Sequence, residues 1–192
     1  MKKIIIPISF IFLIACNSPQ DQTTVSDDDL LIGAVETPFE DEPGMSFVTT
    51  NDSQGNISTS GIYVDGIREG SWVEYHPNGL AKTIVGYENG MREGQGIELD
   101  NRGQMLERFT YHKDKLDGPY TKYNRTRVKE ENNYKNGKLE GESKVYYDNG
   151  KIMEESTYKD GKRDGIARWY DQEGNMTIEY MYKDGEWIKD EE

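Results

Sequence analysis

A tyrosine followed three positions later by a turn glycine returns about every 24 residues through most of this 192-residue chain. The tyrosines are Tyr63, Tyr87, Tyr111, Tyr134, Tyr158 and Tyr182, separated by 24, 24, 23, 24 and 24 residues. A fixed period of this size marks a repeat architecture, in which each unit buries its apolar face only against its neighbours. Such a chain presents a surface for binding more readily than a pocket for chemistry.

Each unit reads as a β-hairpin. The first turn is Asp65-Gly66, Asn89-Gly90, Asn136-Gly137, Asp160-Gly161 or Asp184-Gly185. Asn-Gly and Asp-Gly suit a type I′ turn, because both central residues need positive φ. A second glycine follows at Gly70, Gly94, Gly118, Gly141 and Gly165, then an aromatic or apolar position at Tyr75, Leu99, Tyr123, Tyr146 and Tyr170. A third glycine, at Gly79, Gly103, Gly150 and Gly174, marks the return turn. The intervening runs are short and rich in Tyr, Trp, Val, Ile and Thr, which favours strands, and glycine recurs too often for a long helix. The expected fold is all-β, an elongated antiparallel meander of repeated hairpins over residues 61–192.

Burial should follow the same period. Ala81, Met105, Val128, Ile152 and Met176 lie six residues before a tyrosine, an even separation that places them on its face of the sheet. The column two residues before the tyrosine (Val85, Phe109, Asn132, Ser156, Tyr180) is more mixed, and the opposite face is charged, as at Lys151, Glu155 and Lys159. The third unit departs from the pattern. Asp114 replaces the first turn glycine, Arg127 replaces the third, and one residue is missing before Tyr134. A bend or bulge between residues 111 and 134 is expected, as tolerated drift or as a displaced contact loop. Asp114→Gly is expected to be neutral or stabilising, and Gly137→Val and Gly150→Val to strain the turns.

The run Tyr134-Lys-Asn-Gly-Lys-Leu-Glu-Gly-Glu-Ser-Lys-Val-Tyr-Tyr-Asp-Asn-Gly150 resembles the bacterial variant of the MORN repeat (membrane occupation and recognition nexus). The resemblance covers about residues 61–192. Proteins with this repeat are grouped with the YwqK-type antitoxin family, which implies an antitoxin or immunity-like protein that neutralises a toxin by direct binding. The resemblance carries no catalytic residues.

The first fifteen residues read as a signal peptide. Lys2 and Lys3 precede an apolar stretch, Ile4 to Ile14, that is too short to span a bilayer. Leu13-Ile14-Ala15-Cys16 is similar to a lipobox, which implies a diacylglyceryl group on Cys16, cleavage before it and acylation of the new amine. Cys16 is the single cysteine, so no intramolecular disulfide forms. Two or three acyl chains hold a protein stably on a membrane. The expected address is a bacterial cell envelope, and the outer membrane in a Gram-negative cell because Asn17 follows the cysteine.

Residues 17–60 hold nine acidic residues and no Lys or Arg. Residues 16–44 are expected to be a lipidated, disordered acidic tether, and residues 45–60 a degenerate capping hairpin signalled by Phe47, Val48, Gly55 and Ile57. The net charge of −13, without a basic stripe, disfavours nucleic acid and anionic lipid as partners.

No catalytic constellation emerges. His76 and His112 stand without other histidines or cysteines at ligand spacing, and the acidic runs 27–29 and 40–42 lack a calcium-loop pattern. No cofactor, metal or enzymatic activity is expected. The leading expectation is a non-enzymatic envelope lipoprotein whose repeat sheet binds a protein or a polysaccharide, with Trp72 and Trp169 as candidate contacts. The same aromatic residues also suit simple core packing.

Overall fold

A computed structural model describes residues 33–189. Its sixteen strands lie in one antiparallel sheet in chain order. An edge strand β1 (Val35–Pro38) leads into β2 (Met45–Asn51), β3 (Ile57–Val64), β4 (Ile67–Tyr75), β5 (Ala81–Glu88) and β6 (Met91–Leu99). Then follow β7 (Met105–His112), the two-residue β8 (Lys115–Leu116), β9 (Gly118–Asn124), β10 (Arg127–Lys135) and the two-residue β11 (Lys138–Leu139). The sheet closes with β12 (Gly141–Tyr146), β13 (Ile152–Lys159), β14 (Lys162–Tyr170), β15 (Met176–Lys183) and β16 (Glu186–Ile188). β8 and β11 continue as β9 and β12 after one interrupting residue, so every unit keeps two long strands.

The sheet begins earlier than the sequence suggests. Val35–Pro38 lies inside the expected tether, yet it pairs with Thr49 to Ser46. The turn after it also behaves like a repeat turn, because the Asp65 N–H donates to the Gly44 carbonyl at 2.7 Å. Alternating Val35 and Thr37 suit a strand, and Pro38 is tolerated because β1 is an edge. Residues 1–32, which include the expected signal and most of the expected tether, lie outside the described residues.

Bulges recur with the repeat. Between Ser60↔Val73 and Ile62↔Glu69, β3 advances two residues while β4 advances four. The surplus includes Gly70 at φ 67°. Such a bulge bends the strand and increases its twist. It also lets the Trp72 ring lie over Gly61, where a Cβ would come within 2.2 Å of the indole.

On the tyrosine face, large and small residues alternate across paired strands. Trp72 faces Val85, Val85 faces Gly96, and Gly96 faces Phe109. Two clusters form the apolar core: Val48, Tyr63 and Trp72, and then Val85, Phe109, Tyr120 and Tyr134. The most buried column is therefore the one two residues before the tyrosine, not the one six before it. Val85 and Phe109 are buried, whereas Ala81, Met105, Val128 and Ile152 are half-buried and Met176 is exposed. The inner column sits at mid-strand with neighbours on both sides; the outer column lies beside the return turn, where solvent reaches it.

The irregular third unit stays within the sheet. Tyr75↔Ala81, Leu99↔Met105, Tyr146↔Ile152 and Tyr170↔Met176 close five-residue turns, while Tyr123↔Val128 closes a shorter one. The missing residue is absorbed in that return turn, with Arg125 at φ 60°. The bulge after that turn falls at Lys129 on β10, the same second-strand place that Lys82, Leu106, Met153 and Thr177 take in the other units.

Candidate functional site

The nine turn glycines proposed from sequence (Gly66, Gly90, Gly137, Gly161, Gly185, Gly79, Gly103, Gly150, Gly174) all have φ between 77° and 89°. At Gly137 nothing lies within 4 Å of an added Cβ, so Gly137→Val strains only the backbone, at about 1–2 kcal/mol. In the third unit Lys113 and Asp114 adopt the turn themselves, at φ 48° and 66°. The Asp114 carboxylate accepts from the Arg92 N–H and Nε, both at 3.0 Å, and the Asp114 carbonyl accepts from Nη2 at 3.1 Å. The sequence-based expectation for Asp114→Gly is thereby reversed. The substitution relieves backbone strain but removes a carboxylate that anchors Arg92 over the Tyr111 ring. A net loss of stability is expected, visible as a lower melting temperature than the parent.

Each first turn after Asp65-Gly66 is held by a carboxylate of the preceding unit. Glu69 accepts from Asn89 N–H (2.9 Å), Glu93 from Lys113 N–H (3.0 Å) and Asp117 from Asn136 N–H (3.0 Å). Glu140 accepts from Asp160 N–H (2.9 Å) and Asp164 from Asp184 N–H (3.3 Å). All five acids stand six residues after a repeat tyrosine. Their invariant acidity was legible in the sequence as a column, but its role was not, because the acceptor faces a turn about twenty residues later. The return turns carry a matching device: Asp52, Asp100 and Asp171 accept backbone N–H groups from the residue four positions on.

These bonds make folding proton-linked. Hydrogen bonds from His112, from Lys183 and from the Asn175 side chain hold Glu93, Asp164 and Asp171, respectively, below the ordinary carboxylate range. Asp52, through the Asn56 side chain, and Asp100, through the Gln104 N–H, behave likewise. A depressed folded-state pKa contributes stability above the unfolded pKa that is lost as pH falls through the folded value. Glu98 has the opposite sign. Burial and the neighbouring Glu107 raise its pKa, so it costs stability at neutral pH and relents on protonation. The melting temperature is expected to fall between about pH 5 and pH 2, because the depressed groups outnumber the raised one. A flat profile over that window would contradict the carboxylate-to-turn bonds.

The tryptophan contacts proposed from sequence need correction. Trp72 is 6% exposed, packs on Tyr63 at 5.1 Å and donates its indole N–H to the Ile62 carbonyl. It is a core residue, because the bulge turns it over Gly61. Trp169 is half-buried on the same face and donates to Glu154 at 3.0 Å. Glu154 also accepts from Ser156 (2.8 Å) and from Arg163, whose guanidinium lies over the rings of Tyr158, Trp169 and Tyr182. This hydrogen-bonded cluster takes the place of the apolar core in the last units. Trp187, at 48% exposure, is the tryptophan that faces solvent.

The opposite face carries a register row of two characters. Val73, Ile84 and Ile97 face one another across β4, β5 and β6 and are half-buried. From Arg108 onward the row passes through Thr121, Glu131, Lys144, Glu155, Arg168 and Glu179. Arg168 bridges Glu155 and Glu179 at 3.2 and 2.6 Å. The expected charged face is thus confined to the later units, and the earlier half of that face is aliphatic. Beside the charged row stand Tyr123, Tyr146 and Tyr170.

Two matched segments decide what kind of repeat this is: residues 139–160 and 163–184 fit the family model described as MORN repeat variant. This chain carries a MORN repeat variant. The two MORN copies contain the Glu140–Asp160 and Asp164–Asp184 locks, and the units from Tyr63 to Asn136 repeat the geometry. No curated protein matches the chain. Among the described residues no group of three or more His, Cys, Asp or Glu is placed to hold a metal ion, and no helix is long and apolar enough to cross a membrane. His112 bonds to Glu93 at 3.0 Å, and His76 to the Leu99 carbonyl at 2.9 Å. Cys16 lies outside the described residues.

Proposed function

We propose that this chain is a non-enzymatic binding or scaffolding protein that engages a protein or glycan partner through the face opposite the tyrosine core. The single observation behind this is the continuous row on that face, aliphatic from Val73 to Ile97 and, after Arg108 and the buried Thr121, alternately charged from Glu131 to Glu179. It spreads similar groups over many strands instead of converging unlike ones in a cleft, and MORN repeats generally serve as binding or scaffolding modules. Photo-crosslinkers at Ile84 and Lys144 should capture the same partner from intact cells. Crosslinkers there that capture nothing specific, with capture only from Tyr63-face positions, would overturn the choice of face.

The lipobox-like run supports an address for this surface on a cell envelope, held by acyl chains on Cys16, at the outer membrane in a Gram-negative cell. Cys16→Ser is expected to abolish metabolic acyl labelling and lipoprotein cleavage. Labelling that persists in the variant would refute the anchor. A toxin neutralised by direct binding is the narrower version of a protein partner, and survival of toxin-exposed cells that express the chain tests it.

A further inference from the structure

The charged half of the open face has a period of its own. Tyr123, Tyr146 and Tyr170 occupy equivalent places on β9, β12 and β14, with one strand between each pair. The residues just before them are joined in one register line, Lys122↔Glu130↔Val145↔Glu154↔Trp169, so the tyrosines step across the sheet without slippage. Neighbouring strands lie ~4.7–4.9 Å apart, so the rings recur at about 9.5 Å. A ligand lying along this line must offer groups at that interval. An α-helix repeats every ~5.4 Å, and an extended strand presents one face every ~6.7 Å. A polyproline II helix returns to the same face every third residue, about 9.3 Å.

Two of the three tyrosines are also held by hydrogen bonds. The Tyr146 hydroxyl donates to Glu131 and the Tyr170 hydroxyl to Glu155, both at 2.6 Å, which fixes the rings while leaving them half-exposed. Along the same charged row runs a shallow groove of two adjoining depressions, lined by Glu131, Glu140, Glu142, Lys144, Glu155 and Arg168 and by none of the three tyrosines. Its two cations are already engaged, Lys144 by Glu142 at 3.2 Å and Arg168 by Glu155 and Glu179. The balance of the groove is negative, on a chain whose net charge is −13.

We propose that Tyr123, Tyr146 and Tyr170, with the acidic groove beside them, dock a proline-rich, basic peptide segment in the polyproline II conformation. The proposal rests on the reading of this face as a binding surface and names its partner. Aromatic-lined grooves take such segments because the ligand is extended before it binds and loses little entropy. Prolines at every third residue stack on successive tyrosines, and an arginine or lysine between them meets Glu131 or Glu155, the carboxylates beside the rings. Spanning the three rings takes about seven residues at ~3.1 Å each. The rotation of about 20–25° per strand limits a straight ligand to roughly this length.

The test is an array of labelled peptides with proline at every third position and arginine or lysine at varied intervening positions, probed with the full chain and followed by fluorescence anisotropy. Ordered peptides should bind, and sequence-scrambled peptides of the same composition should not. Tyr146→Ala or Tyr170→Ala should each weaken binding by about tenfold. Tyr146→Phe should retain most of it, and Tyr75→Ala, outside the groove, should leave it unchanged. Circular dichroism melting of each variant separates lost binding from lost fold. Equal binding of scrambled peptides, or indifference to both tyrosine substitutions in folded variants, overturns the proposal. Binding of a neutral β-linked oligosaccharide at the same tyrosines, with no peptide retained, overturns it too but leaves the face a binding surface. No retained peptide together with no partner crosslinked at Lys144 removes both readings.

Discussion

Gly61→Ala is expected to lower the melting temperature by about 5–10 °C, although Gly61 belongs to no turn. A Cβ there would lie 2.2–2.6 Å from three atoms of the Trp72 ring, which is buried, packed on Tyr63 and tied to the Ile62 carbonyl. Overpacking against a ring that cannot retreat costs about 2–3 kcal/mol. A domain of this size loses roughly 2–4 °C per kcal/mol. Gly96→Ala should behave similarly, since its Cβ would meet Phe109 at 2.4 Å and the Ile84 carbonyl oxygen at 2.9 Å. Gly66→Ala meets nothing within 4 Å and pays only for its φ of 77°, about 1 kcal/mol. Thermal melts of the three variants check the order. A Gly61→Ala melt equal to that of Gly66→Ala would mean that Trp72 does not cover the glycine.

Glu154→Ala is expected to cost about 3–4 kcal/mol, the cost of breaking a buried ion pair by removing one partner. Glu154 is 6% exposed and accepts from Arg163, Ser156 and Trp169. Without it the guanidinium remains half-buried among Tyr158, Trp169 and Tyr182, with its Nε already lacking a hydrogen-bond partner. The chain itself points to the compensating change. The position of Arg163, five residues after the repeat tyrosine, is occupied by Leu116 and Leu139 in two other units, and both leucines pack against the apolar core. The double variant Glu154→Met with Arg163→Leu should therefore recover most of the loss, because a well-packed apolar pair replaces a buried ion pair at little cost. Urea denaturation of the single and double variants measures the difference. A double variant no more stable than Glu154→Ala would show that the cluster holds the last units by more than charge pairing.

The two predictions differ in what made them legible. The turn glycines could be found from sequence because a two-residue turn is a local problem. Asp-Gly and Asn-Gly solve it with φ near 50° and 80° wherever they occur between short strands. Gly61 looks like one more glycine in a strand, and its constraint comes from an indole eleven residues away, turned over it by a bulge. The column of Glu69, Glu93, Asp117, Glu140 and Asp164 lies between these cases. Its regularity was visible, but its acceptor role depends on stacking one unit on the next.

The 24-residue period by itself determined the antiparallel meander, the turn positions and the absence of helix among the described residues, since turn chemistry and strand propensity act within a few residues. Tertiary structure alone decided which face each tryptophan occupies. That Trp72 is core and not a contact follows from its ring lying over Gly61, which depends on the pairing of β3 with β4 and the bulge between them. Tertiary structure also decided where the apolar core gives way to the Glu154 cluster and where the open face turns from aliphatic to charged. Both depend on pairs such as Val73↔Ile84 and Glu155↔Arg168, which meet only once neighbouring strands are in register.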